Sequence, residues 1–511
     1  MNDLFQYLPE IFTGSRVLVL LLGTVGGLIL GATPGLSPTM AVALLVPFTF
    51  HMDPATGLVL LGSVFTSTVA GGSLAAILIN IPGAPANIAT TFDGYPMAKK
   101  GRAQEALYIS YLSSLVGGVF GIIILMFFTP PLAKLAMEFG PSEMFWCAMF
   151  GVSVMAGLAS GSMFKGLFMG GVGLLISCIG DDPVYGVTRF VFNDSLAGGI
   201  TEIPALIGIF AIPQILGMVE SLDVVLTKTH FRPEKGILRK VLGMLPGLSP
   251  QMGLGSFIGA LVGIVPGAGG QIAGIIAYDQ NKKFCKHPET LGTGDPRGVA
   301  AVESANNAMV GPSLIPMLIM GIPGCPTAAV LMGGLLIHGM FPGPDLFLKH
   351  ADVTYTFFWA MLFAQITMGV FGLVMSRYSY LVTNISNLMM IGAVMVLAVF
   401  GTYTVSNNFD DVVLMFTLGF ATYIARKYGF SAAPLVLGII LGPIVENNFS
   451  KGRMIAESDL GMFSYFFTGT TNLIIIGLCL LSLGWSLYSE VKFARSQKKN
   501  NVAAAPAGCA G

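Results

Sequence analysis

Helix-breaking residues and hydroxyl residues alternate within one apolar stretch, GATPGLSPTM from Gly31 to Met40. Pro34, Gly35 and Pro38 prevent a plain helix here, because proline lacks an amide hydrogen and clashes with the preceding turn. A helix that ends in this way leaves N–H groups unpaired, and with the helix dipole these groups bind carboxylates. Unwound carbonyls and hydroxyls instead offer the hard oxygen ligands that Na⁺ takes. The stretch therefore predicts a site for an anion and a cation.

The surrounding sequence places this stretch in a membrane. Of the 511 residues, 54% are hydrophobic and 10% are charged, whereas a soluble domain carries about 25% charged residues. The zero net charge speaks against nucleic acid as a partner. Backbone that opens at membrane depth must be buried in protein or line a wet cavity. We therefore predict that the charge-free run 17–52 forms a re-entrant hairpin whose tip carries Pro34.

The same pattern recurs in the second half of the chain. GALVGIVPGAGG, residues 259–270, lines up with GLILGATPGLSP, residues 27–38. Further on, GIPGCPTAAV, residues 321–330, lines up with NIPGAPANIA, residues 80–89. Two motifs in the same order indicate an internal duplication.

Charge bias sets the orientation of the two halves. Basic loops flank the second hairpin and weakly basic sequence flanks the first, and lysine and arginine mark the cytoplasmic side. The fold class predicted is an all-α polytopic membrane protein with two inverted-topology repeats and about 11 crossings plus two hairpins, a pattern typical of secondary transporters. The predicted segments are a first repeat 1–219 (hairpin 17–52, broken helix 54–92), a cytoplasmic basic linker 220–240, a second repeat 241–490 (hairpin 241–278, broken helix 300–344), and a cytoplasmic, disordered tail 491–511.

Polar side chains at the breaks supply the oxygen atoms that such a site needs. They are Thr33, Ser37, Thr39, Asn80, Asn87, Asn306, Asn307 and Thr327. Each has a structural alternative, because Ser, Thr and Asn also cap helix ends or bond back to the preceding turn. The same two interpretations hold for the ionisable residues near span ends, which are Asp181, Asp182, Glu303 and Glu446.

Enzymatic motifs are missing from the sequence. It contains neither an HExxH metal site nor a GxxxxGK[ST] loop for ATP. We therefore predict that the protein is not an enzyme, that it needs no cofactor, and that transport is driven by an ion gradient, of Na⁺ or H⁺, or by another chain.

Several segments resemble the large membrane subunit of the bacterial tripartite tricarboxylate transporters, the TctA family. They include GATPGLSPTMAVALLVPFTF, INIPGAPANIATTFDGYPMAKKGRA, GDDPVYGVTRFVF and ESANNAMVGPSLIPMLIMGIPGCPTAAVLMGG. The resemblance implies uptake of a di- or tricarboxylate across the inner membrane. It also implies two partners, a small TctB-like membrane subunit and a periplasmic TctC-like solute-binding protein. By motif it points to Pro34, Gly35, Asn80, Pro82, Gly83, Pro266, Gly267, Asn306, Asn307, Pro323 and Gly324.

Together these observations predict cation-coupled secondary uptake of a small carboxylate by a multi-pass protein of the bacterial inner membrane, with its C-terminus in the cytoplasm. The predicted substrate-binding residues are Pro34, Gly35, Ser37, Pro266, Gly267, Gly269, Asn306 and Asn307. The predicted cation-binding residues are Thr33, Thr39, Asn80, Gly83, Gly324 and Thr327; no metal other than Na⁺ is expected. The alternatives are a passive anion channel, which needs a continuous polar stripe, and a membrane-embedded hydrolase, which needs a nucleophile with a base.

Overall fold

The structure is a computed structural model. It describes residues 2–158, 162–182, 186–192, 196–220, 236–266, 269–378, 387–459 and 461–503. Within these ranges the chain is nearly all α-helix, with a single pair of two-residue antiparallel strands, β1 (Gly180–Asp181) and β2 (Thr188–Arg189).

The α-helices of the described residues are, in chain order, α1 (Asn2–Gln6), α2 (Gly14–Ala32), α3 (Pro38–Thr49), α4 (Pro54–Ile79), α5 (Thr90–Lys99), α6 (Ala103–Ala136), α7 (Pro141–Leu158), α8 (Met163–Ser177), α9 (Glu202–Glu220), α10 (Ile237–Ile264), α11 (Gly269–Phe284), α12 (Pro296–Ala308), α13 (Ile315–Met320), α14 (Pro326–Ile337), α15 (Asp345–Leu348), α16 (Ala351–Arg377), α17 (Asn387–Ser406), α18 (Phe409–Lys427), α19 (Ala432–Asp459), α20 (Met462–Phe467) and α21 (Thr470–Ala503). Short 3-10 turns cover Leu8–Phe12, Pro85–Asn87, Pro288–Thr290 and Pro312–Leu314.

Nine helices in the described ranges are long and apolar enough to cross a membrane, and three more apolar helices are shorter. The prediction of an all-α polytopic membrane protein is confirmed. The short helices include α3, which follows the predicted tip at Pro34, and α14, which follows the predicted break at Pro323. The inverted orientation of the repeats and the number of crossings stay predictions. The last helix, α21, ends at Ala503, and the predicted segment boundaries, including the tail 491–511, stay predictions.

The chain forms two compact units. Unit 1 contains residues 1–138 and 201–424, and unit 2 contains residues 139–200 and 425–511. In unit 2, α8 packs closely on α19, where a Cβ on Gly173 would lie 2.9 Å from the Cα of Gly438. All predicted tips and breaks lie in unit 1.

Helices in unit 1 approach one another closely through glycine. In α2, Gly27 and Gly31 lie against the backbone carbonyls of Val64 and Thr68 in α4, where an added Cβ would clash. Small residues allow such close approach between membrane helices, where the apolar lipid provides little drive for association.

Helix α12 is in close contact with glycines of two neighbouring helices. Gly117 and Gly121 of α6 lie against its carbonyl groups at Ser304 and Ala308. Gly255 and Gly259 of α10 lie against its carbonyl groups at Ala301 and Ala305. The central polar segment of the sequence, ESANNA, therefore lies in a helix that is in backbone contact with two neighbours.

Candidate functional site

The first tip, residues 33–37, is a short break between α2 and α3. Thr33 leaves the helix with extended angles, and Gly35 has a φ of +86°, a conformation that side chains with a Cβ rarely adopt. Ser37 is the N-cap of α3, accepting a hydrogen bond from the Met40 amide at 3.3 Å. The Thr33 hydroxyl donates to the Ile29 carbonyl one turn back, at 3.0 Å. Two of the predicted ligands thus have structural roles at the ends of helices.

The helix that follows the first tip meets the helix that follows the second break, residues 321–325. Both begin with proline and have threonine second, Pro38-Thr39 in α3 and Pro326-Thr327 in α14. The hydroxyls of Thr39 and Thr327 are hydrogen-bonded at 3.0 Å and buried. The structure therefore brings together two predicted site residues that are far apart in the sequence.

The N-terminal ends of α3 and α14 are capped in the same way, by a side chain that accepts a hydrogen bond from the amide three residues later. Ser37 precedes α3, and Cys325 precedes α14 and accepts from the Ala328 amide through its Sγ at 3.4 Å. Beside them, the Gln214 side chain of α9 donates to the carbonyl of Gly35. The N-termini of α3 and α14, their hydroxyl groups and the side-chain amide of Gln214 therefore lie together at the first tip.

The two breaks have the same backbone geometry. The first break, residues 80–87, begins with Asn80 in the left-handed region (φ 59°), and the second begins with Gly321 in the same region (φ 71°). Three residues later, the amide of Gly83 donates to the carbonyl of Gly72 at 3.3 Å, and that of Gly324 to the carbonyl of Ser313 at 3.1 Å.

Each break also lies against the helix that leads into the tip of its own half. A Cβ on Gly83 would clash with the carbonyl of Gly31 in α2, and one on Gly324 would lie 3.0 Å from the carbonyl of Gly263 in α10. Gly83 and Gly324, predicted for the cation, thus allow each break to pack against a helix backbone.

The first break contacts the helices that follow the second tip. Asn306 of α12 donates from its Nδ2 to the carbonyl of Ala86 at 3.0 Å. Gly274 of α11 lies beside both groups, because a Cβ there would be 3.0 Å from the Asn306 Oδ1 and 3.4 Å from the Ala86 carbonyl. Each break therefore packs against an element that follows the tip of the other half.

Polar side chains of α12 are buried without a full set of partners. Asn306 and Asn307 are completely buried, and among the described residues the Oδ1 of each has no hydrogen-bond donor, which is also true of the Oδ1 of Asn87 at the first break. Asn307 donates to the Oε1 of Gln365 in α16 at 3.3 Å. Buried carbonyl oxygens of this kind can accept a hydrogen bond from a substrate or coordinate a cation.

Two aspartates fix the start of α12. Asp93 of α5 accepts hydrogen bonds from the amides of Gly292, Gly294 and Asp295, at 2.8–2.9 Å. Asp295 then caps α12 through the Arg297 amide. Burial alone would raise the pKa of Asp295, but hydrogen bonds from Arg297 and Thr290 hold that pKa below its ordinary value. This network sets the position of the helix that carries Glu303, Asn306 and Asn307.

Other predicted residues have different surroundings. Asn80 is exposed at the end of α4, Pro34 is half-buried, and Pro266 follows α10. Gly267 lies outside the described residues, and Gly269 begins α11. In unit 2, Arg189 pairs with Glu446 and lies 3.4 Å from the carboxylate of Asp182.

The sequence interpretation missed several polar side chains. Gln214 and Gln365 contact Gly35 and Asn307. Ser73, Thr90 and Ser114 donate hydrogen bonds to Glu303. Their signal in the sequence is weak, because isolated Ser, Thr and Gln residues in apolar runs are usually bonded to their own helix. Ser73 closes a run of hydroxyl and glycine residues, SVFTSTVAGGS, which is a pattern that could have identified it.

Comparison with known proteins gives the family. The family model described as "Tripartite tricarboxylate transporter TctA family" matches residues 17–437. A protein of Agrobacterium vitis, "Uncharacterized 52.8 kDa protein in TAR-I ttuC' 3'region", is 32% identical over 488 residues, which cover 93% of each chain. A second, "Uncharacterized protein in TAR-II ttuC' 3'region" of the same organism, is 30% identical over 239 residues, 47% of this chain and 98% of the relative. The resemblance seen in the sequence is confirmed: this multi-pass membrane protein belongs to the TctA family of tripartite tricarboxylate transporters.

Proposed function

We propose that this protein is the substrate-translocating subunit of a cation-coupled, binding-protein-dependent uptake system for a small di- or tricarboxylate. It works in the bacterial inner membrane with its C-terminus in the cytoplasm. A small TctB-like membrane subunit and a periplasmic TctC-like binding protein are its partners. Na⁺ or H⁺ supplies the driving force.

The observation that carries this proposal is the meeting of the N-terminal turns of α3 and α14 at Thr39 and Thr327. Each helix N-terminus is partly positive and has amides without helical partners, so two of them at one place favour a carboxylate. A carboxylate of the substrate can accept hydrogen bonds from the Thr39 and Thr327 hydroxyls, which then no longer bond each other. We therefore assign Thr39 and Thr327 to the anion rather than to the cation, because the same helix ends repel a positive charge.

The first break is the better place for the cation. It combines the opened backbone around Asn80 and Gly83 with amide oxygens that have no donor, and it lies beside α12, which carries a buried carboxylate. Oxygen atoms in unwound backbone are the ligands that transporters with broken helices use for Na⁺. The anion and the cation would then occupy the two breaks, one in each half.

An uptake assay tests the proposal. The full chain and its two partner subunits are reconstituted into proteoliposomes, and labelled citrate is offered with a Na⁺ gradient, with a pH gradient, or with neither. We expect accumulation only with a gradient and only when the binding protein is present. Uptake that ignores both gradients and stops at equilibrium would instead identify a passive anion channel.

A further inference from the structure

Glu303 is a completely buried carboxylate in the middle of unit 1. It lies in α12, and hydroxyls from three other helices surround it. Ser73 of α4 donates to its Oε2 at 2.7 Å, and Ser114 of α6 donates to the same oxygen at 3.1 Å. Thr90 of α5 donates to its Oε1. This carboxyl group therefore joins four helices.

A second buried glutamate shows what is missing at Glu303. Glu105 is also buried, but it forms ion pairs with Arg102 and Lys240, each at 2.6 Å. Within the described part of the chain, no Lys, Arg or His forms an ion pair with Glu303. An ionised carboxylate without a cation is costly to bury, and hydroxyl dipoles offset that cost only in part.

The hydrogen atoms around Ser73 allow Glu303 to be neutral. The Ser73 Oγ lies 2.8 Å from the carbonyl of Ala70 and 2.7 Å from the Glu303 Oε2, yet a hydroxyl has only one hydrogen. When Glu303 is ionised, Ser73 donates to it. When Glu303 is protonated, it donates to Ser73, whose own hydrogen turns to Ala70. The same heavy-atom positions therefore serve both protonation states.

Other titratable groups on the helices packed against α12 are engaged elsewhere, lack a charge or lie at exposed positions. Asp93 of α5 and Tyr278 of α11 hydrogen-bond each other at 2.9 Å, and α4 has no titratable residue. Tyr111 of α6 lies near Glu303, and its buried hydroxyl has no hydrogen-bond partner in the described part of the chain. The remaining such groups on these helices are Tyr95, Lys99, Glu105, Tyr108, Lys134, Arg239, Lys240, Asp279, Lys282 and Lys283. A single isolated carboxyl group is left at the centre.

We propose that Glu303 binds and releases a proton during the transport cycle, and that this proton is a coupling ion. The inference rests on the proposed cation-coupled uptake and names the group that takes part in it. A free proton adds to one carboxylate oxygen to give the neutral acid, and no other bond changes. The neutral acid removes the uncompensated charge from the contact between α12, with α6 beside it, and helices α4 and α5. Protonation therefore favours the packed arrangement, and release of the proton favours its opening.

The first test measures protonation without transport. The full chain is placed in nanodiscs, and its thermal midpoint is followed from pH 5 to pH 8 for the wild type, Glu303→Gln and Glu105→Gln. We expect the wild-type midpoint to fall as the pH rises, because ionisation leaves a buried charge. Glu303→Gln, which imitates the neutral acid, should lack this fall, and Glu105→Gln should keep it. A wild type and a Glu303→Gln variant with the same pH profile would overturn the proposal.

A conservative variant covers the case in which Glu303→Gln does not fold. Ser73→Ala keeps the carboxyl group and removes the hydroxyl that serves both states. We expect it to shift the midpoint of the pH profile by about tenfold in proton concentration. An unshifted profile in Ser73→Ala would count against the proposal.

Transport then separates this inference from the proposed function. Citrate counterflow, in which labelled citrate exchanges for unlabelled citrate without an ion gradient, should remain in Glu303→Gln within about twofold of the wild type. Accumulation driven by a pH gradient should fall at least tenfold and should return in Glu303→Asp. A wild type that accumulates citrate without any gradient would refute the proposed function. A Glu303→Gln variant that accumulates citrate normally under a pH gradient would refute only the role of Glu303.

Discussion

The two breaks of unit 1 share a backbone but present different chemistry. Each begins with a left-handed residue, and in each a glycine amide three residues later donates to a carbonyl of the preceding helical segment. The second break leads into Thr327, which meets Thr39 among helix N-termini. The first leads into Asn87 and lies beside Asn306, and the side-chain oxygens of both have no donor within the described ranges. In the function proposed above, the second break takes the carboxylate and the first break takes the cation.

The largest expected effect tests the shared framework. A Cβ on Gly83 would lie 2.7 Å from the Cα of Gly72, and one on Gly324 would lie 2.6 Å from the carbonyl of Ser313. Gly83→Ala and Gly324→Ala should each destabilise the protein by about 1–3 kcal/mol, as overpacking does, and thermal unfolding of the purified protein measures this. Gly26→Ala in α2, where nothing lies within 4 Å, is the control and should not destabilise. If only one break is sensitive, the two are not equivalent.

The next effect concerns the first tip. Gly35→Val places a branched side chain at a φ of +86° beside the Gln214 side chain, 3.4 Å away. We expect citrate uptake to fall more than tenfold while the amount of protein in the membrane stays unchanged. Gly101→Val has similar backbone strain (φ +79°) in open space and is the matched control. Normal uptake by Gly35→Val would mean that the tip is not part of the site.

A smaller effect is expected at the paired hydroxyls. Thr39→Val and Thr327→Val each remove a donor to the substrate carboxylate, and hydrogen bonds to charged groups contribute about 1.5–3 kcal/mol. The KM for citrate should rise about tenfold or more, with less than additive loss in the double variant because the two hydroxyls contact each other. Thr49→Val, at the other end of α3, removes a hydroxyl that bonds only to the Val46 carbonyl and should leave the KM unchanged. If the Na⁺ requirement changes and the KM for citrate does not, Thr39 and Thr327 bind the cation rather than the anion.

The smallest effect separates a cap from a ligand at Asn80. In the left-handed region, Asn80→Ala should cost about 1–2 kcal/mol and Asn80→Gly should cost nothing. The cation concentration for half-maximal uptake is measured in both variants. If both raise it, the Asn80 side chain binds the cation; if Asn80→Gly behaves like the wild type, Asn80 serves only the turn.

The sequence was a good guide to the breaks because proline and glycine act locally. The chain leaves its helices at Thr33, Val265 and Asn80, next to the motifs that predicted it. The sequence left open whether each hydroxyl was a cap or a ligand, and the structure gives Thr33 and Ser37 roles at helix ends. The family was also predictable, because the motifs that carry it are continuous segments.

Contacts between distant segments were beyond the sequence. The pairing of Thr39 with Thr327, and the three hydroxyls around Glu303, each join residues from different helices whose spacing carries no shared period. The two compact units also interleave along the chain, whereas a duplication by itself suggests consecutive halves. Tertiary packing decides such features, and one sequence does not encode it as a local pattern.

The glycines of α6 and α10 that contact α12 limit how this helix can move. Sliding this helix by one residue along α6 or α10 would drive side chains into main-chain oxygen atoms, since the present alignment depends on residues without a Cβ at Gly117, Gly121, Gly255 and Gly259. We therefore expect α6, α10 and α12 to move as one rigid unit, which carries the carboxyl group of Glu303. For water to reach Glu303, the three helices must then move together, or α4 and α5 must move away. Rotation and translation of α12 alone would not open the site.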